Sequence, residues 1–129
     1  REIKRAKDSF VSEKIILNIY RKTKDKRIIV MNDQYAGWKR VLGQFKEPLF
    51  VIRPIFESKI WQATAMDVSG FKFKNRLPFP KAWAGKMSAE LQKITGVPDA
   101  LFCHNKRFTA AAKSKEGVIA LARLTISKK

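Results

Sequence analysis

The sequence has few of the side chains from which catalytic and metal sites are built. Its 129 residues include one cysteine, one histidine and 11 acidic residues. The single cysteine, Cys103, excludes an internal disulfide and a multi-cysteine zinc site. The single histidine, His104, has no second imidazole with which to share a divalent cation. We therefore predict that this chain binds no metal and no cofactor.

Motifs for nucleophilic catalysis and nucleotide binding are also missing. Cys103 and His104 are adjacent, but neighbours on a strand point to opposite faces, so the imidazole would not activate the sulfur. The sequence contains neither a P-loop nor a G-x-G-x-x-G pattern. We expect no catalytic residue and no enzyme, unless the chain is a fragment of a longer exonuclease. A fragment or a processed protein is the expectation, because the sequence opens with Arg1.

Long apolar runs are absent, whereas positive charge is in large excess. No run approaches the roughly 18 residues that a spanning helix needs, so a membrane is not an expected partner. The 28 lysines and arginines against 11 acidic residues give a formal net charge of +17. In a compact fold these positive charges repel one another, and a bound polyanion reduces the repulsion. Nucleic acid is therefore the expected partner.

The order of apolar and turn residues predicts one α+β domain over residues 1–129, with helices packed on a small mixed β-sheet. Residues 1–27 form a charged N-terminal helix and connection, and 28–129 the main body. The expected order is helix, strand, short helix, two strands, loop, helix, strand, helix. The individual predictions are a strand at 28–31, a helical turn at 38–42, a hairpin from 48–56 and 59–66, an extended loop at 71–80, a strand at 100–103, and helix N-caps at Ser88 and Ser114.

Motifs in the C-terminal half resemble a known family. The sequence reads L-P-F-P-K-A-W-A-G from Leu77, then S-A-E-L-Q-K-I-T-G-V-P-D-A-L-F-C-H, then F-T-A-A-A-K-S-K-E-G-V-I-A-L-A. This is similar to the C-terminal region of the MYG (melanocyte proliferating gene) family, which is related to DHH phosphoesterases and associated with metal-dependent RNA exonuclease activity. The resemblance extends more faintly upstream to about Ala6. It implies the fold of that C-terminal domain.

Two departures from the family limit what the resemblance implies. The metal-binding Asp and His motifs of the family belong to an N-terminal domain that this sequence lacks. The family's Gly-Gly is replaced by Ala110 and Ala111, whose Cβ atoms would obstruct a phosphate approaching a loop. These departures predict a degenerate enzyme domain that now serves as a scaffold.

Segments that mix basic and aromatic residues are the expected RNA contacts, because cations neutralise phosphates and rings stack on bases. Phe71 and Phe73 fit a core position as well as a stacking one. Trp38, Trp61 and Trp83 are better explained by packing. The predicted RNA-binding residues are Arg21, Lys22, Lys24, Lys26, Arg27, Lys72, Lys74, Arg76, His104, Lys106, Arg107 and Lys113.

Three functions are compatible with these patterns. The first is a non-catalytic RNA-binding component of a ribonucleoprotein, expected to be a mitochondrial ribosome, with rRNA and neighbouring subunits as partners. The second is the C-terminal substrate-binding domain of a complete metal-dependent MYG-type 3'-5' RNA exonuclease. The third is a module whose basic face binds an acidic protein. The mitochondrial matrix is the favoured compartment, with the nucleus and cytoplasm as alternatives.

Overall fold

A computed structural model of the protein describes residues 2–68 and 71–128, with side chains described for 11–68 and 74–128. Four α-helices and seven strands follow one another along these residues, together with one 3-10 turn at Lys81–Trp83. The helices are α1 (Glu2–Lys22), α2 (Trp38–Leu42), α3 (Ser88–Thr95) and α4 (Lys115–Ser127). The strands are β1 (Ile28–Val30), β2 (Phe50–Ile55), β3 (Ile60–Ala65), β4 (Asp67–Val68), β5 (Phe71–Asn75), β6 (Ala100–Cys103) and β7 (Thr109–Ala112).

The central sheet has the strand order β1-β2-β3-β7-β6, and β4 pairs with β5 in a separate hairpin. In the central sheet, β1 and β2 are parallel, and the pairs β2–β3, β3–β7 and β7–β6 are antiparallel. The predicted hairpin is confirmed, because β2 and β3 pair from Phe50–Ala65 to Ile55–Ile60 across a four-residue turn. The predicted α+β class, with a mixed sheet and packed helices, is confirmed as well.

Both faces of the sheet are covered, because side chains alternate along each strand. Phe50 and Ile52 of β2 belong to a buried cluster that includes residues of α3 and α4. Val51, between them, belongs to a second cluster that includes residues of α1 and α2. The helices α1 and α2 therefore lie on the face of the sheet opposite α4.

The N-terminus of α4 forms as the sequence predicts. The Ser114 hydroxyl accepts a hydrogen bond from the Gly117 N–H at 2.9 Å, which is the bond expected of an N-cap serine. The corresponding prediction for Ser88 is wrong. Helix α3 begins at Ser88 itself, and the capping position is Met87, whose side chain makes no cap hydrogen bond.

Three strands appear where the sequence predicted none, and the first is β4, which follows the predicted hairpin. The predicted loop at 71–80 contains β5, which pairs with β4. Residues 109–112, expected to form a loop, make β7, which pairs with β3 on one side and β6 on the other. Ala110 and Ala111 are fully buried in this strand. The prediction that their Cβ atoms obstruct a phosphate-binding loop is therefore wrong.

Within the described residues, no helix combines the length and the apolar character needed to cross a lipid bilayer.

Candidate nucleic-acid interface

A groove of about 560 Å³ opens where the β6–β7 turn meets α2 and the β4–β5 hairpin. A cavity of this size falls within the range of sites that hold a small ligand. Its walls combine cationic, polar and aromatic side chains. The described residues that line it are Lys39, Ala65, Asp67, Asn75, His104, Lys106 and Phe108.

The β6–β7 turn contributes three of these lining side chains and is held by its own hydrogen bonds. The His104 N–H donates to the Thr109 carbonyl at 2.9 Å, and the Arg107 N–H donates to the His104 carbonyl at 2.8 Å. The Lys106 N–H donates to His104 Nδ1 at 3.0 Å. Because Nδ1 accepts this bond, the proton of a neutral His104 is carried on Nε2. The imidazole is thus oriented as a hydrogen-bond donor through Nε2.

Arg107 anchors the same turn to the loop before α3. Its backbone adopts a positive φ of 67°, which is uncommon for a residue other than glycine. Its Nε donates to the Phe79 carbonyl at 2.7 Å, and the Phe79 N–H donates back to the Arg107 carbonyl at 3.0 Å. The Arg107 side chain is therefore engaged in holding the turn, whereas the neighbouring Lys106 is exposed.

Phe108 gives the groove an aromatic surface. Its ring centroid lies 4.6 Å from that of His104, with a tilt of 53° between the planes. The side chain is 40% exposed although it is large and apolar. Its carbonyl accepts a hydrogen bond from the Ala65 N–H at 2.8 Å, which fixes the backbone against β3. An exposed ring held in place is suited to stacking on a base.

The opposite wall carries charges of both signs. Lys39 Nζ lies 3.5 Å from Asp67 Oδ2, and the lysine remains more than half exposed. Asn75 lies opposite Asp67 in the β4–β5 register and adds an amide. Among the described residues, Lys106 has no carboxylate partner. The two lysines therefore outweigh the single carboxylate at this groove.

The structure brings two of the sequence-predicted RNA-binding residues, His104 and Lys106, into the groove. It places the predicted segment 21–27 elsewhere, at the end of α1 and in the turn that follows. There Arg27 pairs with Asp25, with 2.8 Å between Nε and Oδ1, and this pairing lowers the pKa of Asp25 to about 2. The ammonium of Lys26 donates to the Thr23 carbonyl at 2.7 Å. The remaining cations of this segment, Arg21, Lys22 and Lys24, are exposed.

Arg76 has a structural position. Its guanidinium donates to three backbone carbonyls, those of Pro48 at 2.8 Å, Asp67 at 3.1 Å and Gly43 at 3.3 Å. Lys74 and Lys113 are exposed outside the groove. The side chain of Lys72, like those of Phe71 and Phe73, lies outside the described residues.

Besides Ala65, four lining side chains were missed by the sequence predictions. They are Lys39, Asp67, Asn75 and Phe108, which come from α2, the β4–β5 hairpin and the β6–β7 turn. Lys39 follows Trp38 in the upstream part of the sequence, where the resemblance to the family is fainter, so its signal was weak. Asp67 and Asn75 offered none, because only the pairing of β4 with β5 brings them together.

Side chains that commonly bind metals are scattered over the described residues. These residues contain no cluster of three or more His, Cys, Asp or Glu side chains that could hold an ion. Cys103 is buried, and this burial raises the pKa of its thiol to about 11. A thiol in that state is a poor ligand and a poor nucleophile at neutral pH.

Comparison with known proteins identifies the family. The MYG1 exonuclease family model, described as an uncharacterised protein family (UPF0160), matches residues 1–126. A MYG1 protein of Schizosaccharomyces pombe is 30% identical over 107 residues, which are 79% of this chain and 33% of that protein. A MYG1 protein of Dictyostelium discoideum is 30% identical over 105 residues, 77% of this chain and 32% of the relative. The human MYG1 exonuclease is 28% identical over 69 residues, 54% of this chain and 18% of the relative.

The chain thus spans about a third of the length of the first two relatives. No solved structure matches it. Two expectations from the sequence are wrong. The human and mouse relatives are named exonucleases, which contradicts the expectation that the protein is not an enzyme. The same names contradict the expectation of a mitochondrial ribosomal protein built on a degenerate enzyme domain. The resemblance seen in the sequence is confirmed, and the chain belongs to the MYG1 family.

Proposed function

We propose that this chain is the substrate-binding part of a MYG1-type exonuclease and that its groove holds one end of a single-stranded RNA. The observation that carries this proposal is the combination of side chains at one opening. Lys39 and Lys106 supply positive charge, Phe108 an exposed ring, and His104 an oriented donor. Phosphates, bases and sugar hydroxyls are recognised by these three kinds of group.

Three side chains of the groove have distinct tasks in this proposal. Lys106 neutralises a phosphate, since no carboxylate of the described residues pairs with it. Phe108 stacks on the base of the bound nucleotide. Asp67, paired with Lys39, accepts a hydrogen bond from a ribose hydroxyl, which is the group that distinguishes RNA from DNA.

Bond cleavage is assigned to other parts of the exonuclease. The described residues offer no group of ligands for a metal, and the MYG resemblance places the Asp and His motifs of the family outside the region it covers. The role proposed for this chain is therefore to bind and orient the strand. The mitochondrial matrix stays a prediction for the compartment.

Binding of a labelled single-stranded RNA, followed by fluorescence anisotropy over a range of salt concentrations, tests the proposal. Lys106→Ala is expected to weaken binding about threefold to tenfold, and to reduce the salt slope by about 0.7, the value for one phosphate contact on a single strand. Phe108→Ala is expected to weaken binding by a similar factor and to leave the slope unchanged.

Matched controls are available on other surfaces. Lys93→Ala removes an exposed lysine of α3, and Phe56→Ala removes a ring that is 56% exposed in the β2–β3 turn. Both control variants are expected to bind like the unmodified chain. Equal losses for the groove variants and their controls would show that binding is diffuse, and the proposal would then be wrong.

A further inference from the structure

Arg53 in β2 is in an unusual environment for a guanidinium. Its Nε is fully inaccessible to solvent and has no hydrogen-bond partner. Burial lowers the pKa of this guanidinium. The other arginines with described side chains are paired with a carboxylate (Arg27, Arg40), bonded to backbone carbonyls (Arg76, Arg107) or exposed (Arg21, Arg123). A guanidinium nitrogen that is enclosed without a hydrogen bond destabilises a fold, so the position of Arg53 needs an explanation.

Stacking on Trp38 holds the Arg53 side chain in one orientation. The guanidinium carbon Cζ lies 4.7 Å from the centroid of the Trp38 ring. A guanidinium stacked on a ring keeps the donors at its edge available for a bidentate contact with an anion. No described residue accepts a hydrogen bond from this group. The Arg53 side chain as a whole remains partly exposed, so an external anion would meet its terminal nitrogens, Nη1 and Nη2, and not the enclosed Nε. The group is therefore pre-oriented for an external anion.

The location of Arg53 relates it to the groove. Trp38 and Lys39 are consecutive residues of α2. Lys39 lines the groove, and the Arg53 guanidinium stacks on Trp38. An RNA strand that leaves the groove along α2 would therefore pass the Trp38–Arg53 stack.

We propose that Arg53 binds a second phosphate of the strand whose terminal nucleotide lies in the groove. This inference rests on the proposed function, because it extends the same RNA site. A phosphodiester is favoured over a protein carboxylate because Trp38, on which Arg53 stacks, directly precedes Lys39 of the proposed RNA groove. Trp38 and Arg53 thus form a positioning element that sets the path of the strand.

Arg53→Met tests this assignment, because methionine keeps an apolar side chain against Trp38 and removes the charge. RNA binding is expected to become about tenfold weaker, with a salt slope smaller by about 0.7. The thermal unfolding midpoint of the free chain is expected to stay the same or rise, since a desolvated Nε without a hydrogen bond is removed. Arg53→Lys, which keeps the charge without the planar fork, is expected to lose affinity and retain the slope.

Arg123→Met is the matched control, because Arg123 is exposed on α4, on the opposite face of the sheet. It is expected to change affinity less than twofold. The inference is overturned if Arg53→Met binds RNA with unchanged affinity and slope while Lys106→Ala remains weak; the proposed function then stands. If both Arg53→Met and Lys106→Ala bind RNA with unchanged affinity, both proposals are wrong.

Two further outcomes also contradict the inference. A lower unfolding midpoint for Arg53→Met with unchanged RNA affinity would give Arg53 a purely structural role. If Arg53→Met weakens binding of a poly-glutamate peptide but leaves RNA binding unchanged, the site belongs to an acidic protein partner instead.

Discussion

Asp99 and Gly117 lie closer together than a side chain at position 117 allows. A Cβ added to Gly117 would overlap Asp99 Oδ1. The Asp99 carboxylate is held there by the Ser114 N–H at 2.9 Å and the Ser114 hydroxyl at 2.5 Å. The glycine that follows Glu116 in the sequence K-S-K-E-G is therefore explained by packing at the start of α4. The sequence shows this glycine, but only the structure shows that Asp99 lies against it and leaves no room for a side chain.

Gly117→Ala is expected to lower the free energy of unfolding by about 1–3 kcal/mol, because the carboxylate cannot move without losing its bonds to Ser114. Urea denaturation measures the change. Gly96→Ala is the steric control, since no atom lies within 4 Å of a Cβ at that position, although its positive φ adds backbone strain. In an Asp99→Ala background the cost of Gly117→Ala should shrink, and full additivity would contradict the explanation.

The thiol of Cys103 is expected to react slowly with alkylating reagents. Burial raises its pKa from 9.0 to about 11, which lowers the thiolate fraction at neutral pH about 100-fold. The unfolded chain ionises first as the pH rises, so the free energy of unfolding should fall between about pH 9 and pH 11. Cys103→Ala should remove this contribution. Equal alkylation rates in the native chain and in denaturant would contradict the buried position.

Groove residues that are close together in the sequence were predicted, whereas those that are far apart in the sequence were not. His104 and Lys106 were predicted because they are two residues apart in one basic segment. Asp67 and Asn75 were not predicted, because their approach depends on β4–β5 pairing. A local charge pattern indicates which segments bind an anion, whereas the walls of a groove depend on tertiary contacts.

At the scale of elements, β7 is the clearest failure of prediction from local sequence. Its residues are Thr109 followed by three alanines, and alanine is depleted in strands. Tertiary packing overrides this preference, since the strand lies between β3 and β6 and is fully buried at all three alanines. Elements with stronger local patterns, such as the β2–β3 hairpin and the Ser114-capped helix α4, were predicted correctly.

Replacing Ala110 and Ala111 together by glycine tests the corrected position of the family's Gly-Gly pair. We expect a loss of stability of about 0.5–1 kcal/mol for each substitution, because glycine weakens a strand interior. We expect no gain in RNA affinity, because the Ala110 and Ala111 backbone belongs to the sheet ladder. Calorimetry and anisotropy measure the two effects. A gain in affinity at unchanged stability would restore the phosphate-loop interpretation.

At the scale of the whole molecule, the net charge of +17 predicts a polyanionic partner but does not locate its binding site. The segment 21–27, with five lysines and arginines, was one of the segments predicted to bind RNA. There one arginine is paired with Asp25, and a lysine donates to a backbone carbonyl. The groove adds an exposed ring and an oriented imidazole to its lysines. Shape and stacking surface, which composition does not report, favour the groove as the binding site.

Photo-crosslinking of a thiouridine-containing single-stranded RNA to the unmodified chain, with the attachment sites mapped by mass spectrometry, tests this account most directly. Crosslinks are expected at His104 and Phe108, with a second set at Trp38 if the strand follows α2. An excess of unlabelled RNA should remove them, because a single groove is occupied. Crosslinks confined to residues 21–27, with none in the β6–β7 turn, would contradict the assignment of the groove as the RNA site.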